Sequence, residues 1–256
     1  MLNRLHDPVE LLQRKLERVA ALTSDDRRAL AALPLRVAHF RADQDIVRQA
    51  DRTLQSCLLI QGLACSYKIV GHGKRQIVAI HLPGDMPDLQ SLHLGQVDTT
   101  VMTMVPTKVA IILHEHLGGL FANPHIATAL WRSIVADAAI AREWVANVGR
   151  RRAVTRTAHL LTELITRMYA IGAVKGDSFE LPITQEELGD ALGMSVVHVN
   201  RSLRALRQQG LISWVGPVVS ILDLQALATV ADFDADYLHF GATAQGATAS
   251  SYSLSM

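Results

Sequence analysis

The sequence is poor in cysteine, in net charge and in long apolar runs. Its 256 residues include only Cys57 and Cys65, too few for a disulfide framework or for paired C-x-x-C metal sites. A formal net charge of +1 rules out a global basic excess, so charge for binding nucleic acid must be concentrated locally. No window approaches the roughly 18 apolar residues of a membrane span, and the charged, amphipathic start does not resemble a signal peptide. We therefore expect a cytoplasmic protein with structural thiols and no membrane partner.

The first half of the chain changes from helical to strand-like spacing. A helical pattern covers the first 33 residues, with a second helix start at Thr23-Ser24-Asp25-Asp26. Its apolar positions are Leu11, Leu12, Leu16, Val19 and Leu22. Short apolar runs follow from residue 35, at Ser56–Gln61, Ala64–Val70, Gln76–His81, Thr100–Val105 and Val109–Leu113, with a hairpin turn at residues 70–74. Closely spaced short strands indicate an antiparallel barrel or jelly roll of about 80 residues.

A long helix with a heptad seam is predicted from about Pro124 to Gly149. Apolar residues recur there at alternating steps of four and three, beginning at Ala127. Ala138 and Ala141 are small enough to let two helices approach closely, so we expect a self-associating helix. The alternative is a helix that lies on its own barrel. The predicted dimer interface consists of Trp131, Ile134, Ala138, Ala141, Val145 and Val148.

The last third of the chain predicts two short helices joined by a Gly-containing turn. Thr184 stands three residues before Glu187, the spacing of a capping box at the start of a helix. That helix ends at Gly193, and Ser195 begins the second one. Two strand-like runs around Gly216-Pro217 then form a hairpin, or wing. Such a helix pair also occurs in ordinary packing, so the order of elements alone is weak support for a helix-turn-helix.

The second helix of this pair has an apolar and a polar face. Val199, Leu203 and Leu206 share the face that is predicted to be buried. The opposite face carries Val197, Asn200, Arg201, Arg204 and Gln208. Two cations and two amides without an acid favour DNA, because Arg pairs with guanine and Asn with adenine in the major groove. A solvated helix face is the alternative.

Individual roles follow from position on this helix. Asn200 and Arg201 lie in its first turns and are predicted to read bases. Arg204, Ser195 and Thr184 are predicted to hold the DNA backbone, the last two through hydroxyls or adjacent N–H groups. The complete predicted set of DNA-binding residues is Thr184, Ser195, Val197, His198, Asn200, Arg201 and Arg204.

The run ITQEELGDALGMSVVHVNRSLRALRQQGLI resembles the C-terminal DNA-binding domain of Crp/Fnr regulators, the relatives of the cyclic-AMP receptor protein. The order of elements is similar over residues 35–222. The resemblance implies a homodimer on a roughly palindromic site, RNA polymerase as a further partner, and a base-reading role for Arg201. Val197 stands where many members have a glutamate, and Val196 where the cyclic-AMP receptor protein has an arginine, so the usual half-site is not expected.

The same resemblance argues against cyclic-AMP binding. Members that bind it follow a Gly-Asp pair with a glutamate for the ribose and an arginine for the cyclic phosphate. Here Gly84-Asp85 is followed by Leu89 and Thr99 at those two positions. A phosphate without its cation loses a charge-assisted pair worth roughly a few kcal/mol. We expect no cofactor and no cyclic nucleotide, and leave the small-molecule effector unknown.

Metal or haem sensing stays open as an alternative, although two cysteines cannot supply the four thiolates of an iron–sulfur cluster. Histidines are concentrated in the strand-rich region, at His72, His81, His93, His114 and His116. The segment His114-Glu115-His116 would place two imidazoles on one side of a strand. At a strand-to-helix turn the same histidines would be structural or solvated.

Together these patterns predict an α+β fold with an N-terminal double-stranded β-helix (jelly roll) sensor domain, a long dimerisation helix and a C-terminal winged helix-turn-helix. The expected boundaries are residues 1–34 for the N-terminal helices, 35–122 for the sensor domain, 123–151 for the dimerisation helix, 152–240 for the DNA-binding domain and 241–256 for a disordered tail. The predicted function is a sequence-specific DNA-binding transcription regulator. The alternative is a small-molecule, metal or haem sensor that acts mainly through protein partners. No nucleophile–base arrangement stands out, so an enzyme is not expected.

Overall fold

The computed structural model describes residues 7–240, and the predicted disordered tail lies outside them. The chain divides into two compact units, with the boundary between Ala138 and Ala139 inside one long helix. No helix of the described residues has both the length and the apolar character that crossing a membrane requires.

Two short helices precede the strands of the first unit. Helix α1 spans Pro8–Glu17, and helix α2 spans Ser24–Ala31 behind the predicted cap, which is a complete capping box between Thr23 and Asp26. The helical prediction extends too far, because α1 ends at Glu17. Thr23 is held in an extended conformation by its capping box, so the helix must stop before it.

Val19 and Leu22 therefore lie in the connection between α1 and α2. Leu22 still packs against the core of the unit, which explains why its spacing looked helical in the sequence.

In the described part of the first unit, from residue 7 onward, seven strands form two antiparallel sheets, which confirms the predicted jelly roll. They are β1 (Arg36–Phe40), β2 (Asp45–Val47), β3 (Gln55–Gln61), β4 (Ala64–Val70), β5 (Lys74–His81), β6 (Thr100–Thr103) and β7 (Thr107–Leu113). The sheet orders are β1-β7-β3 and β2-β6-β4-β5. The predicted hairpin turn joins β4 to β5 through Gly71–Gly73. Strands β1 and β2 were not predicted, because their side chains are mostly exposed or half-buried and show no apolar run.

Helices close the first unit around a shared core. Helix α3 spans Ser91–Leu94, α4 spans His114–Leu120, and α5 begins at Pro124 and runs to Arg150. One buried cluster contains side chains from α1, α2, the strands and the first half of α5, including Leu12, Leu16, Leu30, Leu58, Ile60, Leu89, Ile112, Leu117, Ile126 and Leu130. Helices α1 and α2 therefore share one hydrophobic core with the strands of the jelly roll.

A buried ion group joins three parts of this unit. The Lys15 Nζ lies 3.2 Å from Asp85 Oδ1 and 3.2 Å from Asp137 Oδ1. Burial disfavours the charged lysine, but the carboxylates of Asp137 and Asp85 outweigh burial and raise the pKa of Lys15. The charged side chain thus connects α1 with the loop after β5 and with α5.

The second unit contains the remaining elements. After α5 come α6 (Ala153–Ala170), β8 (Ser178–Glu180), α7 (Gln185–Leu192), α8 (Val196–Gln208), β9 (Ile212–Val215), β10 (Val218–Ile221), α9 (Leu224–Ala231) and a 3-10 turn at Ala235–Leu238. The predicted wing is the β9–β10 hairpin, and β8 adds a third antiparallel strand beside β10. Strand β8 and helix α9 were not predicted from the sequence.

A buried polar network joins α5, α6 and the 3-10 turn. The fully buried carboxylate of Glu163 accepts hydrogen bonds from Trp144 Nε1 at 3.0 Å, from Arg167 Nη1 at 3.1 Å and from the Tyr237 hydroxyl at 2.9 Å. These three donors satisfy a charge that would otherwise be costly to bury.

Candidate nucleic-acid interface

Two glycines shape the turn between α7 and α8. Gly193 ends α7 in the left-handed conformation, with φ of 60°. A Cβ atom on Gly189 would lie 2.7 Å from the carbonyl oxygen of Met194, so only glycine lets the turn approach α7 this closely. The predicted capping box is complete, since Thr184 and Glu187 each bond the backbone N–H of the other. The two glycines and the capping box, all close together in the sequence, therefore determine the geometry of the helix-turn-helix.

Helix α8 has the two faces that its sequence predicts. Val199, Leu203 and Leu206 are buried, and Ser202, which was not predicted to be inside, is buried with them. The opposite face is exposed and presents Val197, Asn200, Arg201, Arg204 and Gln208. Val197 is 65% exposed although it is apolar. The exposed face therefore combines cations, amides and one aliphatic side chain on a single helix.

Ser195 and His198 form a pair at the first turn of α8. Ser195 occupies the N-cap position, as predicted, but its hydroxyl makes no capping bond to the backbone. The Ser195 Oγ instead lies 2.8 Å from Nδ1 of His198, and both residues are exposed. The pair places a hydroxyl and an imidazole where the positive end of the helix dipole attracts an anion.

The pair borders an open depression of about 440 Å³. The lining residues are Ala153, Arg156, Gly193, Met194, Ser195 and His198. Arg156 comes from the first turn of α6 and donates hydrogen bonds to the carbonyl oxygens of Leu192 and Arg151. Its Nε is buried and has no partner among the described residues, and burial lowers the pKa of Arg156.

Arg156 was not predicted, because nothing in the sequence places the start of α6 beside the start of α8. Its one signal is position, in the first turn of a helix that follows a run of three arginines.

Thr184 differs from the other predicted phosphate contacts. Its hydroxyl donates to Glu187 Oε2 at 2.9 Å, because the capping box uses it. A phosphate at this helix start is therefore expected to meet adjacent backbone N–H groups rather than the hydroxyl itself.

The long helix α5 exposes much of its predicted seam. Trp131 and Val145 are 49% and 73% exposed, and Ala138 and Ala141 are exposed between them. Ile134 and Val148 are half-buried, and Ile134 packs against the core of the first unit. Val135, at 56% exposed, belongs to the same apolar surface but was not predicted. It lies one helical turn from Trp131, a spacing that could have identified it.

The loop after β5 carries Leu89 and Thr99, the two positions expected to face a cyclic nucleotide, and the two acids Asp85 and Asp88. Leu89 is buried in the core with α1 and α2, and Thr99 is also buried. The Asp85 carboxylate accepts from the Leu82 amide and pairs with Lys15. Asp88 accepts from the Cys57 amide at 2.9 Å, and burial raises the pKa of Asp88 to about 7.

The histidines of the first unit are dispersed. His114 and His116 lie in the first turn of α4, which confirms the strand-to-helix turn and excludes the alternative in which they share one side of a strand. The strand ends at Leu113, and His114 turns back to contact Ser56 Oγ at 3.0 Å. Cys57 and Cys65 are buried in strands, as expected. Among residues 7–240, no three His, Cys, Asp or Glu residues are grouped as metal ligands.

Two family models match the chain, one on each unit. The model described as "Cyclic nucleotide-binding domain" matches residues 37–123, and the model described as "Crp-like helix-turn-helix domain" matches residues 155–230. The first match covers the strand roll, and the second covers α7, α8 and the wing.

Known transcription regulators are similar to about three quarters of the chain. The transcriptional activator protein FnrL of Cereibacter sphaeroides is 27% identical over 204 residues, covering 77% of this chain and 81% of that protein. The nitrogen fixation regulation protein FixK of Bradyrhizobium diazoefficiens is 25% identical over 202 residues, covering 75% and 82%. The solved structure of FixK2 from Bradyrhizobium japonicum matches with a TM-score of 0.70 at 25% identity, covering 77% of this chain and 98% of that one. The two matched domains and these relatives are those of Crp/Fnr-type transcription regulators, and the chain carries a Crp-like helix-turn-helix DNA-binding domain.

Proposed function

We propose that two copies of the chain bind a palindromic DNA site as a homodimer, with one α8 helix in the major groove of each half-site. The observation that carries this proposal is the exposed face of α8, on which Asn200 and Arg201 lie next to each other near the start of the helix. A recognition helix uses its first turns to reach base edges. RNA polymerase is proposed as a further partner because the chain resembles Crp/Fnr transcription regulators.

The side chains on this face have different tasks. Arg201 can donate two hydrogen bonds to guanine, and Asn200 can pair with adenine. Arg204 lies one turn further along and contacts phosphate, which positions the helix without selecting a sequence. Val197 has no hydrogen-bonding group, so it can contact only the methyl group of a thymine. The half-site therefore differs from that of members with a glutamate at this position.

The dimer proposal is supported by the exposed side of α5. Trp131, Val135 and Val145 leave large apolar surfaces on a helix whose other side is already buried in its own chain. An apolar stripe of this kind marks an interaction surface. Ala138 and Ala141 at its centre let a second copy of α5 approach closely.

The first unit is proposed not to bind cyclic AMP. No arginine stands at position 99, and Leu89 is occupied in the core instead of facing a ribose. The loop after β5, residues 82–99, also contains no lysine or arginine that could pair with a cyclic phosphate. The residues present therefore do not fit this ligand, and we propose that another effector or no effector acts here.

Selection from random DNA tests the base-reading roles. Wild-type protein is expected to enrich a palindrome. Arg201→Ala should weaken binding to it by about 1–3 kcal/mol and relax preference at one base pair per half-site. Arg204→Ala is the matched control, which should weaken all sequences alike and reduce the salt slope by about one. Failure of wild-type protein to enrich any sequence, or a uniform loss with Arg201→Ala, would contradict the proposal.

Sedimentation tests the dimer. Val145→Glu adds a charge to the proposed interface and should shift the protein from dimer to monomer. Ile69→Glu changes an exposed side chain of β4 and should leave the mass unchanged. If the double variant Val145→Glu/Ala138→Asp still sedimented as a dimer, α5 would not be the interface.

A further inference from the structure

The hydrogen bond between Ser195 and His198 determines which ring nitrogen faces the solvent. With Nδ1 held 2.8 Å from the Ser195 Oγ, the Nε2 of the exposed imidazole points away from that contact. In the neutral ring the hydroxyl donates to Nδ1, and the hydrogen of the ring then sits on Nε2. The neutral pair therefore offers one outward donor, Nε2–H, and no charge.

Protonation changes what this pair offers. A protonated ring carries hydrogens on both nitrogens, so Nδ1–H must donate to the Ser195 Oγ. The hydroxyl hydrogen is then free to donate elsewhere. One added proton thus creates a positive charge and a second outward donor, and both are suited to the oxygens of a phosphate.

Among residues 7–240, the depression beside His198 is lined by a cation and by no acid. Arg156, from the first turn of α6, lines the same depression, as do Ala153, Gly193, Met194 and Ser195. None of these described residues is acidic, and Arg201 follows His198 one turn along α8. A phosphate bound in the depression brings a negative charge beside the imidazole, and a nearby opposite charge favours the charged form of a titratable group.

We infer that His198 takes up a proton when a DNA phosphate binds beside it, so that the affinity of this protein for DNA rises as the solution becomes more acidic. The inference rests on the proposed DNA binding and adds proton linkage at the same surface. A single linked proton changes affinity by at most about tenfold per pH unit, so a dimer with two such sites reaches at most about a hundredfold.

Binding of the selected palindrome is measured between about pH 6 and pH 8.5 at constant ionic strength, for the wild type, His198→Gln and His39→Gln. Glutamine can bond Ser195 but cannot gain a proton. His39→Gln is the matched control, since His39 is an exposed histidine on β1. We expect the DNA affinity of the wild type and of His39→Gln to fall as the pH rises, by up to tenfold per pH unit for each protomer. The curve for His198→Gln should be flatter by that amount.

The salt dependence provides a second measurement. An added cation at a phosphate contact steepens the slope of log affinity against log salt by about 0.9 per protomer. The wild type should therefore have a steeper slope at pH 6 than at pH 8.5, whereas His198→Gln should have the same slope at both.

The outcomes separate this inference from the proposed function. If no duplex is bound at any pH, the proposed DNA binding fails. If a palindrome is bound but the pH profiles of wild type and His198→Gln are parallel, only the proton linkage is overturned. Should His198→Gln bind too weakly to measure, an NMR titration of the His198 ring in wild-type protein decides. Identical titration with and without DNA would overturn the inference.

Discussion

Replacing Glu163 with glutamine tests the network that joins α5, α6 and the 3-10 turn. Glu163→Gln keeps the size of the side chain but removes its charge. The Glu163 carboxylate is fully buried and accepts hydrogen bonds from Trp144, Arg167 and Tyr237. A glutamine has only one oxygen to offer, and its NH₂ group must face at least one of these donors. The variant therefore loses an ion pair and gains a donor–donor conflict.

The expected loss follows from the burial of both partners. The Arg167 side chain is 8% exposed and its Nη1 lies 3.1 Å from Glu163. Removing one charge of such a buried pair costs about 3–5 kcal/mol. Tyr237→Phe is the matched control: it deletes one hydrogen bond to a charged group, worth about 1.5–3 kcal/mol, and leaves the ion pair intact.

Hydrogen exchange of the full-length chain measures this effect separately in each unit. In Glu163→Gln, the amides of α6 should exchange faster by about two to four orders of magnitude, and in Tyr237→Phe by about one to two. The amides of β3 and β7, in the other unit, should be unchanged. Wild-type protection of α6 in Glu163→Gln, or a larger effect from Tyr237→Phe, would refute the reasoning.

Two further predictions concern single side chains. Gly189→Ala places a Cβ atom 2.7 Å from the Met194 carbonyl oxygen, so the turn must shift and DNA affinity should fall in a binding titration. Gly210→Ala is the control: there is open space around Gly210, but its φ is strained for other residues, so this variant should lower only thermal stability. Asp88→Asn should flatten the dependence of stability on pH. Because the folded protein holds the Asp88 proton up to about pH 7 and the unfolded chain releases it near its ordinary pKa, the wild type should lose about 2.5 kcal/mol between pH 5 and pH 8 in urea unfolding. Equal losses in wild type and Asp88→Asn would contradict the assignment.

The features that sequence analysis predicted correctly depend on short-range patterns. Helix α8 has a 3.6-residue apolar period, begins after Ser195 and is followed by Gly210, so its buried and exposed faces follow from neighbours within one or two turns. The capping boxes at Thr23 and Thr184 are likewise set by residues three positions apart. Such local rules need no knowledge of the fold.

The features that it missed depend on contacts between distant parts of the chain. Glu163 bonds Trp144 and Tyr237, which are 19 and 74 residues away, and no periodicity records that meeting. Arg156 acquires its place only when α6 and α8 come together. Leu22 was predicted to be helical and lies in a loop. It packs on the core from that loop, so its apolar side chain continues the helical spacing of its neighbours in the sequence.

The buried ion group of Lys15 has a consequence for the order in which the chain folds. Its two partners lie 70 and 122 residues further along the sequence. During synthesis, α1 leaves the ribosome before either carboxylate does, and it cannot meet both until the roll and half of α5 have followed. A lysine buried without those partners would be costly, so α1 is expected to dock late. A segment that is made early would then be among the last of this unit to reach its native contacts.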